Sequence, residues 1–479
     1  MQTFFQMLAW LHPVAVIGLT LRILSRRNAP GVALAWILLV LLVPLGGAVL
    51  YVMIGERRLG RIWIRRAEAE RAGLYAHIQQ LADSSRIDPA RIGPLGGPVA
   101  RLSGALGGIP VMGGHRITLY SESGRILQGL IDDIEACQTR CSLEFYIWHH
   151  AGRVVELVDA LLRAAGRGVR VTVLMDGLGS RTFSRSEVVS RMRAAGIQVV
   201  VVLPAHALRF LVARVDLRNH RKIAVFDDRI AWTGSFNLAD PLEFKQDAGV
   251  GQWVDAMTRI EGPAASVLGA LTNGMAVLQR GPLLRDEHAS VHGFAPGSVE
   301  LQPMTSGPGF SVHGIEAILL TAIYGARREL VLTTPYFAPG DALIMGLRSA
   351  AARGVAVTLI LPHTCDSRLV QFASASYFDE LLSAGVRIHR FRGGLLHTKS
   401  MVVDGELSCF GTVNLDLRSF HLNFELSMLI YDVGFAQELL ALQRSYLERS
   451  DPMSLQAWRA RALGWRIVEN AAQLAAPLI

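Results

Sequence analysis

Five polar residues recur along this chain at one constant spacing. His220, Lys222, Asp227, Gly234 and Asn237 reappear 177 positions later as His397, Lys399, Asp404, Gly411 and Asn414. The full strings are HRKIAVFDDRIAWTGSFN from His220 and HTKSMVVDGELSCFGTVN from His397, both of the form HxK(x4)D(x6)G[ST]xN. Composition does not produce such a match. The chain therefore reads as an internal duplication, and the two copies are expected to meet in one composite site.

The periodicity after each lysine sets the local geometry. Ile223 to Phe226 and Met401 to Val403 are apolar runs with the look of buried strands. His220 and Lys222 are two apart and so share a face of an extended chain. The aspartate lies five residues beyond the lysine, on the opposite face and roughly 16 Å away at about 3.3 Å per residue. By this geometry Asp227 and Asp404 anchor the turns that follow, Asp227-Asp228 and Asp404-Gly405. Antiparallel pairing about such turns returns Gly234 to Lys222 and Asn237 to His220, and likewise Asn414 to His397. Each motif is then a hairpin gathering an imidazole, an ammonium and a carboxamide at its open end.

Two facing clusters of this kind supply what phosphodiester exchange needs. A neutral histidine attacks phosphorus to form a covalent intermediate, and a protonated second histidine donates to the leaving alkoxide. Lys222, Lys399, Asn237 and Asn414 then stabilise charge on the non-bridging oxygens. A single HxK would fit ordinary polar strand ends equally well, but two matched copies do not. No metal or cofactor is expected.

These residues resemble the phospholipase D superfamily, whose signature is this motif carried twice in one chain or once per subunit of a dimer. The resemblance covers most of the chain past about residue 110. The segments FKQDAGVGQWVD from Phe244, TTPYFAP from Thr333, and GGLLHTKS on to NLDLRSFHLNFE are similar to bacterial cardiolipin synthases in particular. The resemblance implies a catalytic set of His220, Lys222, Asp227, His397, Lys399 and Asp404, with His220 as nucleophile and His397 as acid. It places Ser235, Asn237, Thr412 and Asn414 at the substrate. Asp247, 27 residues after His220, and Glu425, 28 after His397, match acidic positions expected to orient the two imidazoles.

The implied reaction moves a phosphatidyl group from one phosphatidylglycerol to another, giving cardiolipin and glycerol by a ping-pong course through phosphohistidine. Three alternatives stay open at this point. A phospholipase D hydrolase uses water as acceptor, a phosphatidylserine synthase draws on a nucleotide-activated lipid, and a non-catalytic lipid-binding scaffold does neither.

At 479 residues the chain exceeds one core. In the first half, LEFYIW, VRVTVLMD and IQVVVVLP alternate with helices ending at Arg167-Gly168 and before Gly196. In the second, LVLTTPYF, VAVTLILP and VRIHRF alternate with helices ending at Arg353-Gly354 and before Gly385. The expectation is an α/β fold: two phospholipase D-like α/β/α domains, each with a largely parallel sheet, the active site at their interface. The expected divisions are 1–55 membrane anchor, 56–110 linker region with Gly93 to Pro98 at its most linker-like, 111–275 first domain, 276–450 second domain and 451–479 an amphipathic segment.

The net charge of +8 is compatible with nucleic acid, but the amino terminus points to a lipid bilayer instead. Phe4 to Leu24 and Gly31 to Ile54 are long apolar runs, expected as two transmembrane helices, with a cleaved signal peptide weighed against the first. Arg57, Arg58, Arg61, Arg65 and Arg66 outnumber Arg22, Arg26 and Arg27 in the link, which favours a cytoplasmic catalytic part at the bacterial inner membrane. Four cysteines, Cys137, Cys141, Cys365 and Cys409, read as small buried hydrophobes. Two further segments are weighed as interfacial against core: Ala207 to Arg221, with Arg209, Arg214 and Arg218, and Leu455 to Trp465 at helical spacing with Arg459, Arg461 and Arg466.

Overall fold

Runs rich in Val, Ile and Leu form the strands, because branched side chains pack well on a pleated, buried surface. In the first half these are β1 (Met112–Tyr120), β2 (Arg140–Phe145), β3 (Arg170–Asp176), β4 (Gln198–Val202), β5 (Lys222–Phe226), β6 (Ile230–Gly234), β7 (Trp253–Val254) and β8 (Met257–Glu261). In the second they are β9 (Val299–Ser306), β10 (Glu329–Thr333), β11 (Phe337–Ala338), β12 (Ala356–Pro362), β13 (Arg387–Phe391), β14 (Leu395–Leu396), β15 (Ser400–Val403), β16 (Leu407–Gly411), β17 (Leu415–Asp416), β18 (Glu425–Ile430) and β19 (Ser450–Pro452). The computed structural model describes residues 2–26, 30–43, 45–56, 61–204, 214, 216–280, 294–307 and 314–474. Two compact units result: residues 1–65 with 205–217, and residues 66–204 with 218–479.

The larger unit holds both halves of the duplication. The order β1-β8-β6-β5-β2-β3-β4 in the first half is matched strand for strand by β9-β18-β16-β15-β10-β12-β13 in the second, with β19 added at the outer edge. Only three strands of each set are mutually parallel, β2-β3-β4 and β10-β12-β13. The other pairings within these two sets are antiparallel, so the largely parallel sheets expected from sequence are corrected to mixed ones. The antiparallel strands escaped notice because alternating runs such as MTRIE and ELSMLI have no helix beside them to announce a βαβ unit. β1 and β9 pair antiparallel and join the two sets into one continuous order.

The crossover helices Val154–Gly166 and Asp341–Ala352 bury one face each, Leu157 and Leu161 in the first, Leu343 and Leu347 in the second. Each such side chain contributes roughly 1.5–3 kcal/mol by leaving water. The chain reverses after them at Gly168 (φ 89) and Gly354 (φ 86), a left-handed conformation that glycine adopts without strain. Between the halves, Ile223, Val225 and Ala231 share an apolar cluster with Val331, Val402 and Phe410. The motif hairpins of the two halves are thus packed together. All four cysteines are buried and free.

The stretch expected as linker is structured. Helices Arg61–Ala82 and Gly93–Gly107 carry Ile78, Leu81 and Val99 into the core. Pro94 sits in the first turn of the second helix, where proline costs no hydrogen bond, and Pro98 is accommodated one turn further in.

At the carboxyl end, the expected single amphipathic helix is two, Leu455–Arg459 and Leu463–Gln473. Trp458 packs on Phe378 and Arg459 pairs with Asp379, so the first piece is anchored to the second half. Trp465 touches Phe372 yet stays 54% exposed. In the segment before the first motif, Leu208, Arg209, Phe210 and Leu211 lie outside the described residues. Arg214 pairs with Asp216, and Arg218 is buried beside Asp176. These two arginines are held by protein carboxylates, which favours the core reading over the interfacial one for this part of the segment.

The smaller unit contains helices Gln2–Leu24, Pro30–Leu42 and Gly46–Leu50 and a π-helical turn, Tyr51–Gly55. Arg22 forms a fork to Glu56 at 2.6 and 2.8 Å, and the Tyr51 hydroxyl donates to the same carboxylate. Among the described residues, no helix is long and apolar enough to cross a membrane, so the two expected transmembrane helices are not found. The second apolar run is not one helix: Pro30–Leu42 and Gly46–Leu50 are separate, and Leu45 takes a positive φ of 59. Its 13-residue helix spans about 20 Å, short of the ~30 Å hydrocarbon core.

Candidate active site

The register of each hairpin brings the motif residues together. Ile223 pairs with Thr233 in β5–β6, and Ser400 with Phe410 in β15–β16, which sets Gly234 opposite Lys222 and Gly411 opposite Lys399. A Cβ at Gly234 would lie 2.4 Å from the Ala256 carbonyl oxygen, and one at Gly411 the same distance from that of Leu426. Glycine is required at both because the next strand passes too close for any side chain.

His220 and His397 are buried, and each is held through Nδ1 by a carboxylate from the opposite half. His220 Nδ1 is 2.8 Å from Glu425 Oε2, and His397 Nδ1 is 2.6 Å from Asp255 Oδ1. Main-chain bonds also cross: His220 N donates to Phe424 O and His397 N to Val254 O. β7 and β14 pair in parallel beside the second of these contacts.

This exchange corrects two sequence expectations. Glu425 orients His220 rather than His397, and the partner of His397 is Asp255 rather than Asp247. Asp247 is exposed in a short 3-10 turn, Gln246–Ala248. Asp255 and Glu425 both stand just before or at the start of the strand bonded to the hairpin's second arm, β8 or β18. That shared position was the signal; counting from the histidines misled because the intervening loops differ in length.

Ser235 and Thr412 are likewise corrected. Ser235 Oγ donates to Asp255 at 2.6 Å, and Thr412 Oγ1 donates to Glu425 at 2.6 Å. They hold the orienting carboxylates instead of facing substrate. Asn423 Nδ2 adds a longer bond to Glu425 at 3.3 Å.

Asp227 and Asp404 sit at the far end of their strands, as the strand geometry implied and the inherited motif did not. The Asp227 carboxylate accepts from the backbone N–H groups of Gln138, Thr139 and Arg140 and from the Thr139 hydroxyl. Asp404 accepts from Arg327, Arg328 and Glu329 N–H. Each clamps the loop leading into β2 or β10. Burial works against ionisation at Asp227, but these donors outweigh it and hold the acid down at about 2.

Lys222 and Lys399 are buried, and each Nζ donates to the carbonyl of its own histidine, at 2.8 and 2.6 Å. That leaves two N–H bonds on each ammonium for an anion. Asn237 Oδ1 accepts from Ile147 N at 3.2 Å, and the Asn414 Oδ1 is buried with no hydrogen bond.

Burial is the largest influence on both imidazoles and lowers them to about 4; Glu425 and Asp255 oppose it, and the lysines of both halves reinforce it. The opposite half's lysine acts on each histidine, as expected of one composite site. Burial also lowers Lys222 to about 8 and Lys399 well below the usual ammonium range. Burial pushes the two carboxylates up, but the facing histidines and lysines bring them below normal. The resting site thus holds ionised carboxylates against neutral imidazoles, each with its Nε2 left to react. Aromatic rings differ between the two: Tyr146 meets His220 edge-on at 5.1 Å, while Trp253 lies 4.4 Å from His397.

Comparison with known proteins agrees with this construction. A family model described as "Cardiolipin synthase, PLD-like domain" matches residues 130–246 and 319–445, one stretch per half. A second, "Phospholipase D-nuclease N-terminal", matches residues 14–56. "Cardiolipin synthase A" of Serratia proteamaculans (strain 568) is 41% identical over 493 aligned positions, covering 100% of both chains. The protein of the same name from Salmonella arizonae is 40% identical with the same coverage. The solved phosphatidylserine synthase of Haemophilus influenzae Rd KW20 shares the fold, with a TM-score of 0.61 at 14% identity, over 79% of this chain and 99% of that one. With two histidine hairpins cross-braced by carboxylates and full-length relatives at this identity, the chain belongs to the bacterial cardiolipin synthase family of the phospholipase D superfamily.

Proposed function

We propose that this protein is a cardiolipin synthase, transferring a phosphatidyl group from one phosphatidylglycerol to the terminal hydroxyl of another and releasing glycerol. The observation that carries the reading is the pair of buried histidines, each oriented through Nδ1 by a carboxylate of the other half. In the first step His220 Nε2 attacks phosphorus, and protonated His397 gives its proton to the departing glycerol oxygen. In the second, His397 takes the proton of the incoming hydroxyl as that oxygen displaces His220. Both imidazoles are neutral at rest, so the anionic phosphate draws the required proton onto His397 as it binds. Lys222, Lys399 and the Asn237 and Asn414 amides hold the non-bridging oxygens. One phosphodiester is exchanged for another, so no nucleotide is consumed.

The same reading places the enzyme at a membrane. Val14, Ile17, Leu21, Leu24, Leu34 and Leu42 of the smaller unit are exposed, between 58% and 70%. An apolar surface of this extent suits contact with acyl chains rather than water. Our reading is a membrane-associated protein of the bacterial inner membrane with its catalytic unit on the cytoplasmic side.

The test is incubation of the full chain with labelled phosphatidylglycerol in mixed micelles. Cardiolipin and an equal amount of glycerol are expected. Phosphatidic acid as the sole product would instead identify a hydrolase, and an absolute need for a nucleotide-activated lipid would identify a phosphatidylserine synthase.

A further inference from the structure

The chain contains 45 arginines and three lysines. Two of the lysines are Lys222 and Lys399, and the third is Lys245. A protein that places arginine at almost every cationic position has kept the compact, strongly hydrated ammonium at three, and all three belong to one neighbourhood.

Lys245 stands in the loop between the first motif and Asp255. Its backbone is left-handed, φ 49 and ψ 40, an uncommon conformation for a side-chain-bearing residue. Its Nζ lies 5.4 Å from the centre of the Trp253 ring and 5.6 Å from that of Phe244. The other side of this contact chain is the 4.4 Å approach of Trp253 to His397. The ammonium is thus one indole ring removed from the reacting imidazole. It pairs across the halves with Asp366 at 3.2 Å, and the Tyr336 hydroxyl donates to the second oxygen of that carboxylate at 2.8 Å. The lysine side chain remains 45% exposed, so an incoming anion reaches it.

The reaction brings two monoanionic lipids to one site, and Lys222 and Lys399 neutralise only the phosphate that reacts. The acceptor's own phosphate enters for the second step, is not broken in it, and still needs a cation. We infer that Lys245 is that cation: it binds the unreacting phosphate of the acceptor phosphatidylglycerol, with Trp253 and Phe244 seating the ammonium and Asp366 holding it in place between turnovers. A three-carbon glycerol bridge links the reacting hydroxyl to the unreacting phosphate, and Trp253, in contact with both His397 and Lys245, links the corresponding protein groups. The inference rests on the functional reading above and names the acceptor subsite of that same centre.

Labelled phosphatidylglycerol in mixed micelles, with ethanol as a competing neutral acceptor, reads both possibilities at once. Cardiolipin reports transfer to an anionic acceptor, and phosphatidylethanol reports active enzyme without one. Lys245→Gln is expected to lower the ratio of cardiolipin to phosphatidylethanol about ten-fold, the loss of one charge-assisted contact, and Lys245→Arg to restore only part of it, the charge returning without the compact ammonium. An unchanged ratio in Lys245→Gln overturns the assignment, as does an equal fall of both products in both variants. A wild-type enzyme that makes phosphatidylethanol but no cardiolipin overturns the functional reading itself, and so is told apart from failure of the subsite alone.

Discussion

Glu425 stands 205 residues from His220 along the chain and 2.8 Å from its Nδ1. Asp255 has the converse relation to His397, 142 residues away and 2.6 Å distant. Neither half of the duplication contains a histidine together with the carboxylate that orients it.

The histidines act as a unit in this arrangement. His220→Ala and His397→Ala are each expected to reduce turnover by about 1000-fold or more, with the double variant no worse than either alone. Acid-labile phosphoprotein, trapped with labelled phosphatidylglycerol, should vanish in His220→Ala. Appreciable turnover by either single variant would contradict a shared site.

For the carboxylates the effect falls on kcat rather than KM. Glu425→Gln and Asp255→Asn are expected to lower kcat about 10-fold or more, since each loosens an imidazole without touching lipid. Ser235→Ala and Thr412→Val remove one donor from those carboxylates and should follow the same pattern more weakly. Asp247→Asn should leave both constants near the wild-type values. A rise in KM alone for Ser235→Ala would return that hydroxyl to the substrate.

Asp227 and Asp404 are predicted to matter for stability. Replacing either by Ala leaves three backbone N–H groups without their acceptor, and a loss of about 2–4 kcal/mol is expected in denaturant unfolding. At a temperature where the variant is folded, kcat should stay within a few-fold of wild type. A folded Asp227→Ala enzyme without activity would place this carboxylate in the chemistry.

The titrations separate activity from stability. With both imidazoles lowered to about 4 and one proton needed on the pair for the first step, kcat/KM should be highest near pH 4 and fall above it, more steeply above about 8 as the Lys222 ammonium is also lost. Stability runs differently. Between 6.5 and about 4 the unfolded chain binds protons at His220 and His397 that the folded chain does not, so acidification through this window destabilises. Between about 8 and 10.5 the unfolded chain again holds more protons, at Lys222, so its contribution to stability increases while activity declines. Paired pH profiles of kcat/KM and of the unfolding midpoint check both signs.

The parts of the site set by local periodicity were legible in the sequence. The hairpin register, from His220 to Asn237 and from His397 to Asn414, follows from turns centred on Asp227-Asp228 and Asp404-Gly405 and alternation with period two. The turn-anchoring position of Asp227 followed from the same count, against the inherited motif. Partners set by long-range packing were not legible. Asp255 and Glu425 cross between halves, and nothing local to WVD or NFE states which histidine they will meet. The second apolar run is legible as apolar but not as one helix, since hydropathy alone does not register the break between Pro30–Leu42 and Gly46–Leu50. Lys245 was visible all along as a matter of residue usage, but only its place beside Trp253 gives that rarity a meaning.

The antiparallel contact of β1 with β9 has a bearing on how the two histidines came to differ. A pair of like strands meeting antiparallel is related by a local twofold axis, so two identical copies of one half joined at that edge already possess a complete, symmetric centre with interchangeable histidines. Once both copies share a chain, each is free to drift. Among the departures from symmetry are Asp255 against Glu425, and Trp253 where the other half has Asn423. These two lie against the imidazoles, and it is there that a centre with two equivalent bases has been given a direction.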